Sequence, residues 1–157
     1  MAEDLTRTGG SREAQYLGLA PQLRALLEGE SDPVANMANF SAALHEQFGW
    51  LWVGFYLVRG EELVLGPFQG PVACTRIRKG KGVCGSAWAQ QRPLIVEDVS
   101  RFPGHIACSS RSRSEIVVHL WVEGKVWGVL DVDSERLDDF SETDARFLME
   151  WVAWLKP

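Results

Sequence analysis

The sequence predicts an α+β fold, a central antiparallel sheet with N- and C-terminal helices packed on one face, and three observations predict it. Apolar residues at helical spacing occupy both ends of the chain, and β-branched and aromatic runs lie between them in two hairpin-like pairs. Helix, sheet and helix also segregate along the chain, where an α/β protein would alternate them. At 157 residues and 46% hydrophobic, with seven Trp and seven Phe, the chain is long enough to bury one core, and its length favours a single domain over residues 11–157.

Residues 1–10 are expected to be a disordered N-terminus. Tyr16, Leu19, Leu23, Leu26 and Leu27 then fall at helical spacing; Pro21 is expected to kink or restart this helix, and Gly29 to stop it. Asp32-Pro33 reads as N-cap and first-turn proline. It opens a second helix with Val34, Met37, Ala38, Ser41, Leu44 and Phe48 along one stripe. Trp50 to Val58 and Glu62 to Leu65, joined by Arg59-Gly60, read as one hairpin. Ile116 to Val122 and Lys125 to Asp133, around Glu123-Gly124, read as a second. The last helix opens at Ser141, with Asp144 at capping-box spacing in place of the usual Glu, and turns Leu148, Trp151, Val152 and Leu155 inward.

Charge and composition exclude several functions. Sixteen basic and twenty-one acidic residues give a net charge of −5, which argues against a surface built to neutralise nucleic-acid phosphates or anionic lipid. No nucleic-acid or membrane partner is expected. Met1 to Gly10 has no apolar targeting region, and no run approaches the ~18 apolar residues of a membrane span. Three cysteines make no paired framework, which suits a reducing compartment, so a cytoplasmic protein is expected.

All three cysteines lie between the hairpins, in the Gly- and Pro-rich stretch from Pro67 to Glu115, where a rigid scaffold holds loops that commonly carry function. Nine residues separate Cys74 from Cys84 and twenty-three separate Cys84 from Cys108, unlike the close spacing of structural zinc sites. A lone cysteine is more often a small buried hydrophobe. Cys108, however, has His105, Arg111 and Arg113 nearby in sequence, and cationic neighbours lower a thiol's pKa, so it is a candidate nucleophile.

Gly80-Lys81-Gly82-Val83-Cys84-Gly85 formally matches a dinucleotide fingerprint with Asp98 downstream. The preceding Thr75 to Lys79 is too polar for the required strand, so these glycines are read as a turn into a short helix, Val83 to Gln90. In the strand ending at Asp133, alternation puts Asp131 and Asp133 on one face, their Cα atoms about 6.6 Å apart. Glu115 at the entrance of the partner strand is placed to join them. The alternative is a solvated face; as a cluster, such carboxylates raise one another's pKa, so that one donates a proton while another holds a cation.

Asn39 and six longer motifs carry a resemblance. They are Trp52-Val53-Gly54-Phe55-Tyr56, Leu65-Gly66-Pro67-Phe68-Gln69-Gly70, Gly80-Lys81-Gly82-Val83-Cys84-Gly85, Phe102-Pro103-Gly104-His105-Ile106-Ala107-Cys108, Ser114-Glu115-Ile116-Val117-Val118 and Gly128-Val129-Leu130-Asp131-Val132-Asp133-Ser134. In this order and with this cysteine spacing, the chain from about Tyr16 to its last helix resembles the free methionine-R-sulfoxide reductases, which are GAF-domain proteins. The resemblance implies a GAF-like fold and reduction of free methionine-(R)-sulfoxide. It implies Cys108 as nucleophile, Cys74 as the main resolving cysteine and Cys84 as an auxiliary thiol. It also implies Trp52 against the substrate's methyl end, and Glu115, Asp131 and Asp133 around its polar atoms.

Those roles make chemical sense. The departing sulfoxide oxygen needs a proton, for which Asp133 or Glu115 is the candidate. The remaining carboxylates would hold an α-ammonium that methionine within a chain does not have. A sulfenic acid on Cys108 would condense with Cys74, and by the resemblance thioredoxin would reopen the disulfide. No metal or organic cofactor is required, and there is room for a homodimer. Two positions depart from the family pattern, His119 where a proline is expected and Ser109 where Asp is frequent. Two rival readings are a non-catalytic GAF sensor and a metal protein using Cys108, His105 and another thiol.

Overall fold

The computed structural model describes residues 4–106 and 108–157. Helices α1 (Arg12–Leu27) and α2 (Pro33–Phe48) precede the strand pair β1 (Trp52–Arg59) and β2 (Glu62–Gln69). Next come β3 (Arg76–Arg78), α3 (Gly82–Gln90), β4 (Leu94–Val96) and a 3-10 turn, Val99–Arg101. The pair β5 (Ser114–Val122) and β6 (Lys125–Ser134) leads into α4 (Glu142–Val152). The sheet order is β3-β2-β1-β6-β5-β4, and every neighbouring pair is antiparallel.

The expected capping chemistry is present. Asp32 accepts from the backbone N–H groups of Val34 and Ala35. Ser141 and Asp144 form the reciprocal capping box of α4. Glu123 and Gly124, both at positive φ (46° and 79°), turn the β5–β6 hairpin as a primed turn requires.

Three expectations are corrected. Helix α1 runs unbroken through Pro21, because Pro21 and Leu17 face solvent and water can reach the carbonyl that the proline leaves without a partner. In α2 the inward stripe is Met37, Phe40, Ser41, Ala43, Leu44 and Gln47, so Met37, Ser41 and Leu44 face inward as expected, while Val34 is 59% exposed. Residues 5–10 are tied down: Leu5 packs on the core, Thr6 N–H donates to Gln22 at 2.8 Å, and Thr8 exchanges bonds of 2.9 and 2.8 Å with the Gln47 amide. Buried Gln47 completes its hydrogen bonding on this segment. Residues 1–3 lie outside the described residues.

The sheet separates two apolar clusters. Even-numbered Ile116, Val118, Leu120, Leu130 and Val132, with Val53 and Phe55, face α1, α2 and α4. Trp52, Tyr56, Val117 and Val129 face the other way, toward α3. Described residues between Pro67 and Glu115, among them Ile77, Val83, Trp88, Leu94 and Val99, therefore cover the second face. The polar residues 75–79 include edge strand β3, with Ile77 buried between exposed Arg76 and Arg78. Among the described residues no helix is long and apolar enough to cross a membrane.

Candidate active site

Strand register assembles the acids on the α3 face. Asp133 is paired with Trp52 on β1 and with Glu115 on β5, so the three form one row across the sheet. Asp131 occupies the next row, between Gly54 and Val117. A Cβ on Gly54 would lie 2.6 Å from the Trp52 ring and 2.3 Å from the Phe68 Cβ. Glycine here lets the indole lie across the row. Phe68, Trp52 and Tyr56 consequently stack, with ring centroids 5.1 and 5.8 Å apart.

The roof comes from the segment between the hairpins. Cys84, near the start of α3, brings its sulfur within 4.8 Å of carboxylate oxygens of Glu115 and Asp131, which are equally close to each other. Cys74 and Cys108, 34 residues apart, meet in a disulfide with Cα atoms 5.5 Å apart, while Cys84 is a buried free thiol. Trp52, Cys84, Cys108, Glu115, Asp131 and Asp133 line one cavity of about 50 Å³, room for roughly three to five waters while the disulfide is closed. The three acids, Cys84 and Cys108 thus line one cavity, and Cys74 is joined to it through the disulfide.

The electrostatics are unusual for so many acids. Burial first, and then mutual repulsion, pushes Glu115 and Asp133 well above the ordinary carboxylate range. Burial also raises Asp131, but contacts with Glu115 and Cys84 and the His105 charge oppose it. Of the three acids, Asp131 is therefore the one whose ionised form has the most support from its neighbours. Its Oδ1 is buried with no hydrogen-bond partner. Ser112 Oγ donates to Asp133 at 2.8 Å. Burial, followed by the charges of Asp131 and Glu115, pushes the Cys84 thiol up, so that sulfur stays protonated.

The cations expected beside Cys108 are arranged differently. Arg111 pairs with Glu135, and Arg113 is exposed. Burial lowers the His105 pKa, and its Nε2 lies 3.9 Å from Glu115. The disulfide also removes Cys108 and Cys74 from any shared metal site with His105. Among the described residues the group with metal-ligand spacing is Cys84, Glu115 and Asp131. His119 is not in the cavity lining; it lies edge-on to Trp121.

Sequence reasoning missed Tyr56, whose hydroxyl donates to the Cys74 carbonyl at 2.8 Å, and Ser112. Alternation along β1 puts Tyr56 on the Trp52 face and could have found it. Nothing local marks Ser112, which sits two residues outside β5.

Residues 33–153 match the GAF domain family. The chain is 61% identical over 151 residues to GAF domain-containing protein A of Dictyostelium discoideum, covering 96% of each. It is 46% identical over 142 residues to the free methionine-R-sulfoxide reductase of Escherichia coli, covering 90% of this chain and 86% of that one. The X-ray structure of free methionine-R-sulfoxide reductase from Neisseria meningitidis in complex with its substrate superposes with a TM-score of 0.95 at 52% identity, covering 98% and 93% of the two chains.

Proposed function

The chain belongs to the GAF-domain family that contains the free methionine-R-sulfoxide reductases, and from that premise we propose that it reduces free L-methionine-(R)-sulfoxide to L-methionine on one domain, residues 11–157. The observation that carries this reading is the Cys74–Cys108 disulfide closing over a cavity walled by three buried acids. A non-catalytic sensor of the same fold has no use for that bond.

Each wall has a task. The Trp52 ring offers an apolar surface for the substrate's methyl end. Asp131, with an unpartnered oxygen, accepts the α-ammonium, which only the free amino acid carries. Cys108, as the thiolate, attacks the sulfoxide sulfur while Glu115 or Asp133, whose protonated forms burial favours, donates a proton to the oxygen. The net change moves oxygen from the substrate to sulfur: Cys108–SH and the sulfoxide become Cys108–SOH and the thioether. Cys74 then condenses with the sulfenic acid, and water leaves. A dithiol of the thioredoxin type, present in a reducing cytoplasm, reopens the disulfide by exchange. The steps use side chains alone.

Separated epimers of free methionine sulfoxide, assayed with a thioredoxin system, test substrate, stereochemistry and recycling together. We expect turnover of the R epimer and little of the S. Equal turnover of both, or none of the R epimer with any dithiol, would overturn the reading.

A further inference from the structure

Cys74 lies on a strap, residues 70–75, that has no regular secondary structure. Two side chains from β1 grip it. Trp52 Nε1 donates to the Pro71 carbonyl at 3.0 Å, and the Tyr56 hydroxyl donates to the carbonyl of Cys74 itself at 2.8 Å. Both donors are buried, 5% and 2% exposed, and sit four residues apart on one strand face. The strap also passes tightly over the indole: at Gly70 (φ +134°) a Cβ would lie 2.6 Å from the Leu51 carbonyl and 2.8 Å from Trp52 Cδ1. Among the described residues around Cys108, His105 N–H donates to the Phe102 carbonyl and Cys108 N–H to that of Ile106, while Ser112 donates to Asp133 and Arg111 pairs with Glu135.

We infer that Trp52 and Tyr56 are positioning residues for the resolving thiol: they fix Cys74 at the sheet, in line with Cys108. The inference rests on the proposed reaction for the roles of the two cysteines. In the step concerned, an S–S bond forms and the S–O bond of Cys108–SOH breaks, and the hydroxyl leaves as water with the Cys74 proton. Its rate depends on how often the two sulfurs meet in line, and a misplacement of about 1 Å costs up to 100-fold. Losing one buried hydrogen bond loosens the strap without removing either thiol. The aromatic wall thereby serves two steps: its faces line the substrate cavity, and its polar atoms hold the resolving cysteine.

The test uses Tyr56→Phe and Trp52→Phe, which keep a ring in the stack and each delete one donor. Reduced protein is oxidised with one equivalent of hydrogen peroxide, which makes the Cys108 sulfenic acid without substrate. Its lifetime is read by dimedone trapping and its conversion to the Cys74–Cys108 disulfide by mass spectrometry. Both variants are expected to slow disulfide formation about tenfold and to accumulate the dimedone adduct. In single turnover with methionine-(R)-sulfoxide, the ratio of the disulfide rate to the methionine rate should fall by a similar factor. Disulfide formation at the wild-type rate in either folded variant would overturn the inference. If the wild-type protein releases no methionine but the peroxide-driven step slows in both variants, the reaction assignment fails and the positioning stands.

Discussion

The sheet buries carboxylates on both faces and treats them in opposite ways. On the three-helix side Asp144, 1% exposed, accepts from the Arg12 guanidinium at 3.0 Å, the Tyr16 hydroxyl at 2.6 Å and the Ser141 N–H at 2.9 Å. Its neighbour Asp139 takes Arg12 at 2.8 Å and Ser134 at 2.5 Å. On the α3 side Asp131 and Glu115, 7% and 5% exposed, face other acids and a thiol. His105 at 3.9 Å is the nearest basic group to Glu115, and one oxygen of Asp131 has no partner. Burying an uncompensated carboxylate costs several kcal/mol, whereas a fully bonded one can be neutral. The first group is complete within the fold. The second leaves a buried oxygen without a partner, and on the proposed reaction it is completed by a substrate that supplies a cation and an oxygen in need of a proton.

That contrast can be broken in four ways, of decreasing size. Cys108→Ser should abolish single-turnover methionine formation; near wild-type product would detach the acids of the α3 face from any sulfur chemistry. Asp131→Asn and Asp133→Asn should each lower kcat/KM about 100-fold, roughly 3 kcal/mol of transition-state stabilisation, without lowering Tm. Unchanged kinetics would make them ordinary buried polar residues. Asp144→Asn should do the reverse, costing about 2 kcal/mol, or roughly 4–8 °C in Tm, because partly buried Arg12 loses one of its two carboxylate partners and the Ser141 capping box is weakened. Its activity per folded molecule should be unaltered.

The smallest effect depends on pH. The folded state raises the Glu115 pKa, so above the ordinary carboxylate pKa the native protein binds a proton that the unfolded chain has lost. Stability from this group is therefore present at low pH and falls as pH rises. Glu115→Gln removes that slope. Its Tm should match the wild type near pH 4 and exceed it at pH 8, by about 1 kcal/mol or ~2–4 °C. A constant difference across pH, measured by thermal melts, would show that Glu115 shares no raised pKa with its neighbours.

How much of this was legible in the sequence depends on the range of the interaction. Caps, hairpins and the alternation of Asp131 and Asp133 are set by residues a few positions apart, so Asp32, Ser141 and both aspartates could be read directly. The meeting of Cys74 with Cys108 came from family resemblance, because no local rule brings together residues 34 apart. The cationic neighbourhood of Cys108 misled for the same reason: adjacency in sequence placed Arg111 by the thiol, while tertiary packing gives it to Glu135. Pro21 misled because a proline's cost in a helix depends on whether its orphaned carbonyl meets water or the core. Tyr56 was visible by period but not by chemistry, since its partner is a backbone carbonyl 18 residues away.

The bond between Cys74 and Cys108 encircles β3, α3 and β4. Cross-linking a ring of this size removes conformational freedom from the unfolded chain worth about 3–5 kcal/mol. In the proposed cycle the oxidised form is then the sturdier one, slower to melt and harder for a protease to open, and each reduction would return the molecule to its more vulnerable state.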